Sequence, residues 1–189
     1  MTTKLLPEST WTPSRPDCPY PERWSSVDAY ATESEVTELV AAMVRALQPE
    51  FVIETGSWVG TTTQAIGEAL VRNGHGELIS LEISPDMCQR ANQRCAGLPV
   101  TVLPTSSLDF MPTRPVDFAW FDSDPRLRPV EFEQYLPWMH HRTVVGFHDT
   151  GPQHPVRALL APLEAAGVLT PLYLPTPRGV CFSRVNGAR

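Results

Sequence analysis

Seven residues, Glu54-Thr55-Gly56-Ser57-Trp58-Val59-Gly60, follow the apolar run Phe51-Val52-Ile53 and open directly onto Thr61-Thr62-Thr63. Glycines let a backbone come close to a ligand, and a helix starting just beyond them presents N–H groups to negative charge. A dinucleotide-binding G-x-G-x-x-G would need a third glycine, and only Gly56 and Gly60 are present, which weakens a pyrophosphate site. The loop alone is also compatible with a plain strand-to-helix turn. Glu54 argues for more, because an acid in a buried strand is costly unless something cationic or hydrogen-bonding meets it. Glu82 ends a second apolar run 26 residues after Gly56. A carboxylate there can accept both hydroxyls of a ribose. Loop and acid together point to an adenosine-containing ligand.

These residues need elements to position them, and the pattern supplies strands alternating with helices. Val36, Leu39, Val40, Met43, Val44 and Leu47 recur at helical spacing up to Pro49, with Thr32 and Glu35 spaced as a capping box. Strands are expected at 51–55, 77–82, 100–103, 116–122 and 143–148, and helices at 61–72, 85–96, 129–139 and 155–166. Residues 169–174 and 179–183 read as a closing hairpin, which breaks an otherwise parallel pattern. The fold class is α/β, a parallel sheet covered on both faces, with ligands beyond the carboxyl ends of its strands. Function is therefore expected just after Glu54, Glu82, Leu103, Asp122 and His148. The first 32 residues stand apart as a Pro- and aromatic-rich segment, with Pro7, Pro13, Pro16, Pro19 and Pro21 among Trp11, Tyr20, Trp24 and Tyr30. That segment is either a structural wrap or a lid over an active site, and residues 33–189 form the domain proper.

Composition excludes several chemistries. Lys4 is the only lysine, so neither a P-loop nor a Schiff-base site can be built, and G-x-S-x-G and H-E-x-x-H are absent. A net charge of −6 argues against nucleic-acid coating or membrane-surface binding. No stretch approaches the roughly 20 apolar residues of a membrane span, and Met1 to Pro7 lacks a signal-peptide pattern. A cytoplasmic protein with reduced Cys18, Cys88, Cys95 and Cys181 is expected.

E-T-G-S-W-V-G, L-I-S-L-E-I, V-D-F-A-W-F-D-S-D and V-V-G-F-H-D-T together resemble the class I S-adenosylmethionine-dependent methyltransferases. The likeness spans about residues 33–183 and is nearest to small-molecule O-methyltransferases. It implies a Rossmann-like, doubly wound sheet of seven strands, mostly parallel, with an antiparallel C-terminal hairpin strand. It also implies that Glu54, Gly56, Ser57 and Gly60 face the methionine part of S-adenosylmethionine, with Thr61 and Thr62 beside it. Glu82 would hold the ribose and Ile83 the adenine. Ser106 and Ser107 follow the third strand, Ser106 standing where relatives often place an acid, and Asp122 completes the donor site. At the catalytic end the resemblance brings Asp122 and Asp149 to the ends of adjacent strands. Some relatives bind a divalent cation such as Mg2+ with acids in these places, which makes Asp122 and Asp149 metal-ligand candidates. His148 is a natural general base near neutral pH, paired here with Asp149 as the catalytic set. The alternatives are that Asp149 caps the turn before Gly151-Pro152 and that His148 is a satisfied core histidine. Relatives commonly read Asp-Gly-Asp-His where this chain reads Asp122-Ser123-Asp124-Pro125, which could shift a base to His148 or His154. Asp124 is a further ligand candidate, and Arg126 and Arg128 either hold an anionic acceptor or are solvated. His140-His141-Arg142 replaces a glycine pair and reads as a surface turn. The expected partner is a small-molecule acceptor bearing a hydroxyl or amine, and a homodimer is allowed. An NAD-dependent oxidoreductase and a non-catalytic donor-binding module are the competing classes.

Overall fold

The computed structural model describes Cys18, Tyr20 and residues 23–186. Its elements in chain order are α1 (Ser34–Leu47), β1 (Phe51–Thr55), α2 (Thr61–Asn73), β2 (Glu77–Leu81), α3 (Pro85–Arg94) and β3 (Val100–Leu103). They continue with β4 (Val116–Phe121), α4 (Arg128–Tyr135), β5 (Met139–His148), α5 (Val156–Ala165), β6 (Leu169–Leu174) and β7 (Val180–Val185). The seven strands lie in the order β3-β2-β1-β4-β5-β7-β6. Only β7 runs against its neighbours. The expected fold class is therefore the one observed.

Successive side chains of a strand point to opposite faces, so each central strand must feed two cores. Phe51, Ile53, Ala119, Phe121, Val145 and Phe147 pack with Phe132 and Tyr135 of α4 and Leu160 of α5 on one face. Val52, Phe118 and Trp120 pack on the other with Val36, Val40 and Val44 of α1 and Ile66 and Leu70 of α2. Gly146 leaves room for Trp120, since a Cβ there would sit 2.6 Å from the indole ring. Order reverses between β1 and β4, which start at the sheet's middle and wind outwards in opposite directions. That switch point is where an open sheet leaves a crevice.

Two local expectations are corrected. Thr32 does not cap α1: helix entry falls at Glu33 without a side-chain cap. The Thr32 hydroxyl instead donates to Asp122 Oδ2 at 2.5 Å, and Glu35 accepts from the backbone and hydroxyl of Ser25. His140-His141-Arg142 is not a surface turn but part of a ten-residue β5. The register slips between Val116 and Phe118, and the Thr143 hydroxyl closes the slip. It donates to the Val116 carbonyl at 2.7 Å and accepts from the His140 N–H at 2.9 Å. Of the N-terminal wrap, Lys4 and all five prolines fall outside the described residues; within 23–32, Asp28 bonds the Trp58 indole, Thr32 bonds Asp122, and Tyr30 to Thr32 line the recess beside Gly56. No helix among the described residues is long and apolar enough to cross a membrane.

Candidate active site

Thr55 and Phe121 are register partners at the ends of β1 and β4. Just beyond them the two chains part: the Gly56 N–H turns to the Leu81 carbonyl at 2.8 Å, while the Asp122 N–H stays with Thr55 at 2.9 Å. Gly56 has φ +83°, and a Cβ on it would lie 2.5 Å from the Asp122 carbonyl oxygen. Only glycine satisfies both the conformation and the space.

The parting opens a cavity of about 450 Å³ lined by Gly56, Glu82, Ile83, Ser106, Ser107 and Asp122, with Tyr30 and Trp58 at its other wall. A recess of about 30 Å³ adjoins it, lined by Gly56, Ser57, Thr61, Thr62 and Asp122 beneath Tyr30, Ala31 and Thr32. Glu54, Gly60, His148 and Asp149 line neither space. The sequence expectations thus divide into residues on the cavity wall and residues behind it.

On the wall, Glu82 is clamped. Its Oε2 accepts the Trp58 N–H at 2.8 Å and its Oε1 accepts the Ser84 N–H at 2.8 Å. A carboxylate oxygen has two acceptor sites, so each still has one for a vicinal diol. Trp58 sits at φ +48°, a backbone region that a bulky side chain seldom enters. Glu82 holds its N–H, Asp28 accepts its indole N–H at 3.0 Å, and Tyr30 packs on its ring at 5.3 Å.

Behind the wall, Glu54 is fully buried. Thr63 and Ser80 donate to its Oε2 at 2.6 and 2.5 Å, while Oε1 has no partner. Burial pushes its pKa up to about 7 despite those two hydroxyls. Its pKa in the unfolded chain is lower, so ionisation penalises the fold increasingly as pH rises from the ordinary glutamate range towards 7. Glu54→Gln is therefore expected to raise the melting temperature at pH 8 and to leave it nearly unchanged at pH 5. Equal shifts at both pH values, followed by scanning calorimetry, would mean that Glu54 carries no such penalty.

Deeper still lies a closed ionic network. The His148 ring is fully buried; Nδ1 faces Asp122 Oδ1 at 2.9 Å and Nε2 faces Glu33 Oε2 at 2.6 Å. Burial alone would lower the pKa of this imidazole, but Asp122, Asp149 and Glu33 raise it to about 10. The general base expected at His148 is thus a buried imidazolium with both nitrogens engaged. Asp149, at φ +56°, is 1% exposed. Its Oδ1 takes Arg178 Nε at 2.6 Å, and its Oδ2 takes Arg128 Nη2 at 2.8 Å and Arg178 Nη2 at 3.1 Å. Burial favours the neutral acid, yet His148, Arg128 and Arg178 hold Asp149 well below the usual carboxylate range. Asp122 is held low in the same way, against its burial, by His148 and Arg128.

Asp122, His148 and Asp149 bring ligand-type atoms within 4.8 Å of one another. A divalent cation such as Mg2+ does not fit them, because the carboxylate oxygens already have N–H or O–H donors and both His148 nitrogens already face carboxylates. Arg128, expected as solvated or acceptor-binding, is 2% exposed, whereas Arg126 is exposed. His154 lies 3.4 Å from Asp149, and burial lowers its pKa.

Glu33, Arg178 and Glu131 were not marked by any motif. Glu131 is fully buried and accepts hydroxyls from Thr55 at 2.9 Å and Ser123 at 2.6 Å, and from Ser107. It ties the ends of β1 and β4 to the loop after β3, and so sets two cavity-wall serines. The signal for it was present: Arg128, Glu131, Phe132 and Tyr135 share one helical face, which puts two charges in an apolar stripe.

A seven-stranded sheet with one reversed strand, and a glycine-loop cavity at its switch point walled by an acid just beyond β2, define a class I S-adenosylmethionine-dependent methyltransferase. The chain belongs to the family described as methyltransferase domain, whose model matches residues 53–150. Its fold is similar to that of an O-methyltransferase from Bacillus cereus solved with SAH, with TM-score 0.73, 18% identity, and 84% of each chain covered. It is also similar to the O-methyltransferase TomG from Streptomyces achromogenes, involved in tomaymycin synthesis and solved with SAM. There the TM-score is 0.69 at 22% identity, covering 84% of this chain and 83% of that one. A third neighbour is the SAH-bound methyltransferase PaMTH1 from Podospora anserina, with TM-score 0.71, 16% identity, and coverage of 94% and 86%. Among curated protein sequences none matches.

Proposed function

We propose that this enzyme methylates a hydroxyl of a small-molecule acceptor, with the methyl donor lying along the two adjoining cavities. The observation that carries the reading is their junction. Gly56, Trp58, Tyr30 and Asp122 line both spaces, and Asp122 is the one carboxylate among them. Glu82 would hold the donor's ribose, Ile83 and the Ser106-Ser107 loop its adenine, and the threonines at the start of α2 its amino-acid end. When bound, S-adenosylmethionine supplies an electrophilic methyl on a sulfonium.

In-line displacement depends on alignment of the acceptor oxygen with that methyl. Asp122 is 12% exposed where the cavities meet, so it is the group placed to orient the acceptor hydroxyl. His148 and Asp149 then act behind it as positioning residues, fixing the Asp122 carboxylate from the protein side. O-methyltransferases among the structural neighbours support the hydroxyl over an amine.

Asp122→Asn is expected to lower kcat by roughly 100- to 1000-fold, the span of losing one orienting group. The dissociation constant for S-adenosylhomocysteine should change less than about threefold, since the ribose and adenine contacts are elsewhere. Tritium transfer to a panel of phenols and enols, with calorimetry for the donor product, reads both. Undiminished turnover would remove Asp122 from the reacting end. Methylation of amines alone would replace the hydroxyl acceptor.

A further inference from the structure

We infer that this methyltransferase works without a divalent metal, because Arg128 bridges Asp122 and Asp149 where a metal would sit and Arg178 holds Asp149 from its other side. Two aspartates and a histidine at the ends of β4 and β5 form a triad of ligand types, and its members are close enough to share one ion. What decides against an ion is where each lone pair already points. Asp122 Oδ1 takes His148 Nδ1 at 2.9 Å and Arg128 Nη2 at 3.1 Å, and Oδ2 takes the Thr32 hydroxyl at 2.5 Å. Both oxygens of Asp149 are held by guanidinium groups, Arg178 alone bonding one through Nε and the other through Nη2. The second His148 nitrogen is engaged by Glu33 at 2.6 Å.

Charge leads to the same result. The guanidinium groups of Arg128 and Arg178 already stand against the carboxylates of Asp122 and Asp149, so both aspartates have their countercharge with no ion present. A dication would have to displace a guanidinium that is 2% exposed and is also anchored to the backbone carbonyls of Ser123 and His148. Arg178 is anchored as well: it reaches the carbonyls of Tyr30 and Ala31 at 3.3 and 3.4 Å, and its own N–H donates to Glu33 Oε1 at 2.9 Å. Arginine suits this substitution, since its planar fork satisfies two carboxylates at fixed angles where lysine would act as a point charge.

The consequence bears on the acceptor. A metal lowers the pKa of a bound hydroxyl and gathers two neighbouring oxygens. Without one, the acceptor brings its own acidity, as a phenol with a single hydroxyl or an enol does, and vicinal hydroxyls gain nothing.

The test is paramagnetic broadening on the full-length protein, with and without S-adenosylhomocysteine. Mn2+ is titrated to millimolar concentration while the ring resonances of His148 and His154 are followed by NMR. Both are expected to stay sharp throughout, and methyl transfer to phenols is expected to be unchanged after exhaustive chelation. Selective broadening of His148 at stoichiometric Mn2+, or loss of turnover on chelation with recovery on adding Mg2+, would overturn the inference. Manganese held elsewhere on the surface leaves these rings sharp and supports it. A protein that excludes Mn2+ here yet methylates no hydroxyl would overturn the proposed acceptor and leave the metal-independence standing.

Discussion

Arg128→Met is expected to lower the unfolding free energy by about 3–5 kcal/mol, the range for removing one partner from a buried ion pair. Methionine approximates the volume but cannot donate to the four acceptors that Arg128 satisfies. Asp149, 1% exposed, would lose one of its two guanidinium partners and keep Arg178; Asp122 would keep His148 and Thr32; the Ser123 and His148 carbonyls would lose their arginine donor. Arg128→Lys should fall between, because an ammonium can meet one aspartate but not span two. The pH dependence gives the loss a signature. Asp149 and Asp122 are held below their ordinary values, so their pairing stabilises the fold above the usual aspartate range and that contribution fades on acidification. His148 is raised to about 10, so its contribution is complete below the ordinary histidine range and is lost as pH climbs through about 10. The gap between wild type and Arg128→Met should thus be widest near neutrality and narrow below pH of about 4, where the stranded carboxylates can protonate. Urea midpoints by circular dichroism at several pH values read it directly. A loss under about 1 kcal/mol at neutral pH is what a solvated arginine would give, and would remove the network from the stability of the fold.

The architecture was legible because its signals are local. Short apolar runs such as Phe118 to Phe121 read as buried strands, and Asn73-Gly74 and Gly97 punctuate helices, so period and punctuation mark the alternating elements in chain order. That Gly56 and Glu82 line the cavity was legible for a related reason: each stands just beyond a strand's carboxyl end, where an open sheet parts. The ionic network was not. Its members come from residues 33, 122, 128, 148, 149 and 178, and the pairing of Glu33 with His148 across 115 residues leaves no spacing to read. His148 shows the difference sharply. A histidine beside an aspartate suggests a base at neutral pH, and only the three carboxylates folded around the ring convert it to a fixed cation. Thr32 failed for a similar reason, since a distant aspartate outcompeted the nearby helix N–H groups for its hydroxyl.

Glu82→Gln should weaken binding of S-adenosylhomocysteine by roughly 100-fold, about 2.7 kcal/mol, while the melting temperature of the unliganded protein moves little. Two effects add. An anionic acceptor makes hydrogen bonds of about 1.5–3 kcal/mol to hydroxyls, and the amide keeps only one acceptor atom for a diol that needs two. The amide is also wrong for the loop. Glu82 accepts from Trp58 N–H on one oxygen and Ser84 N–H on the other, so whichever way glutamine turns, its NH2 faces a backbone donor. The Trp58 end is the more sensitive, because that residue is held at φ +48° and releasing its N–H lets the wall relax away from Tyr30. Glu82→Asp keeps the charge but draws the carboxylate back by one methylene, and should bind more tightly than glutamine without matching the wild type. The comparison separates charge from reach, and calorimetry at matched pH measures it. Affinity within about threefold of wild type for Glu82→Gln would mean that the ribose lies elsewhere along the cavity. Ile83 and the Ser106-Ser107 loop would then mark a different ligand orientation, and the junction at Asp122 would lose its assignment as the reacting end.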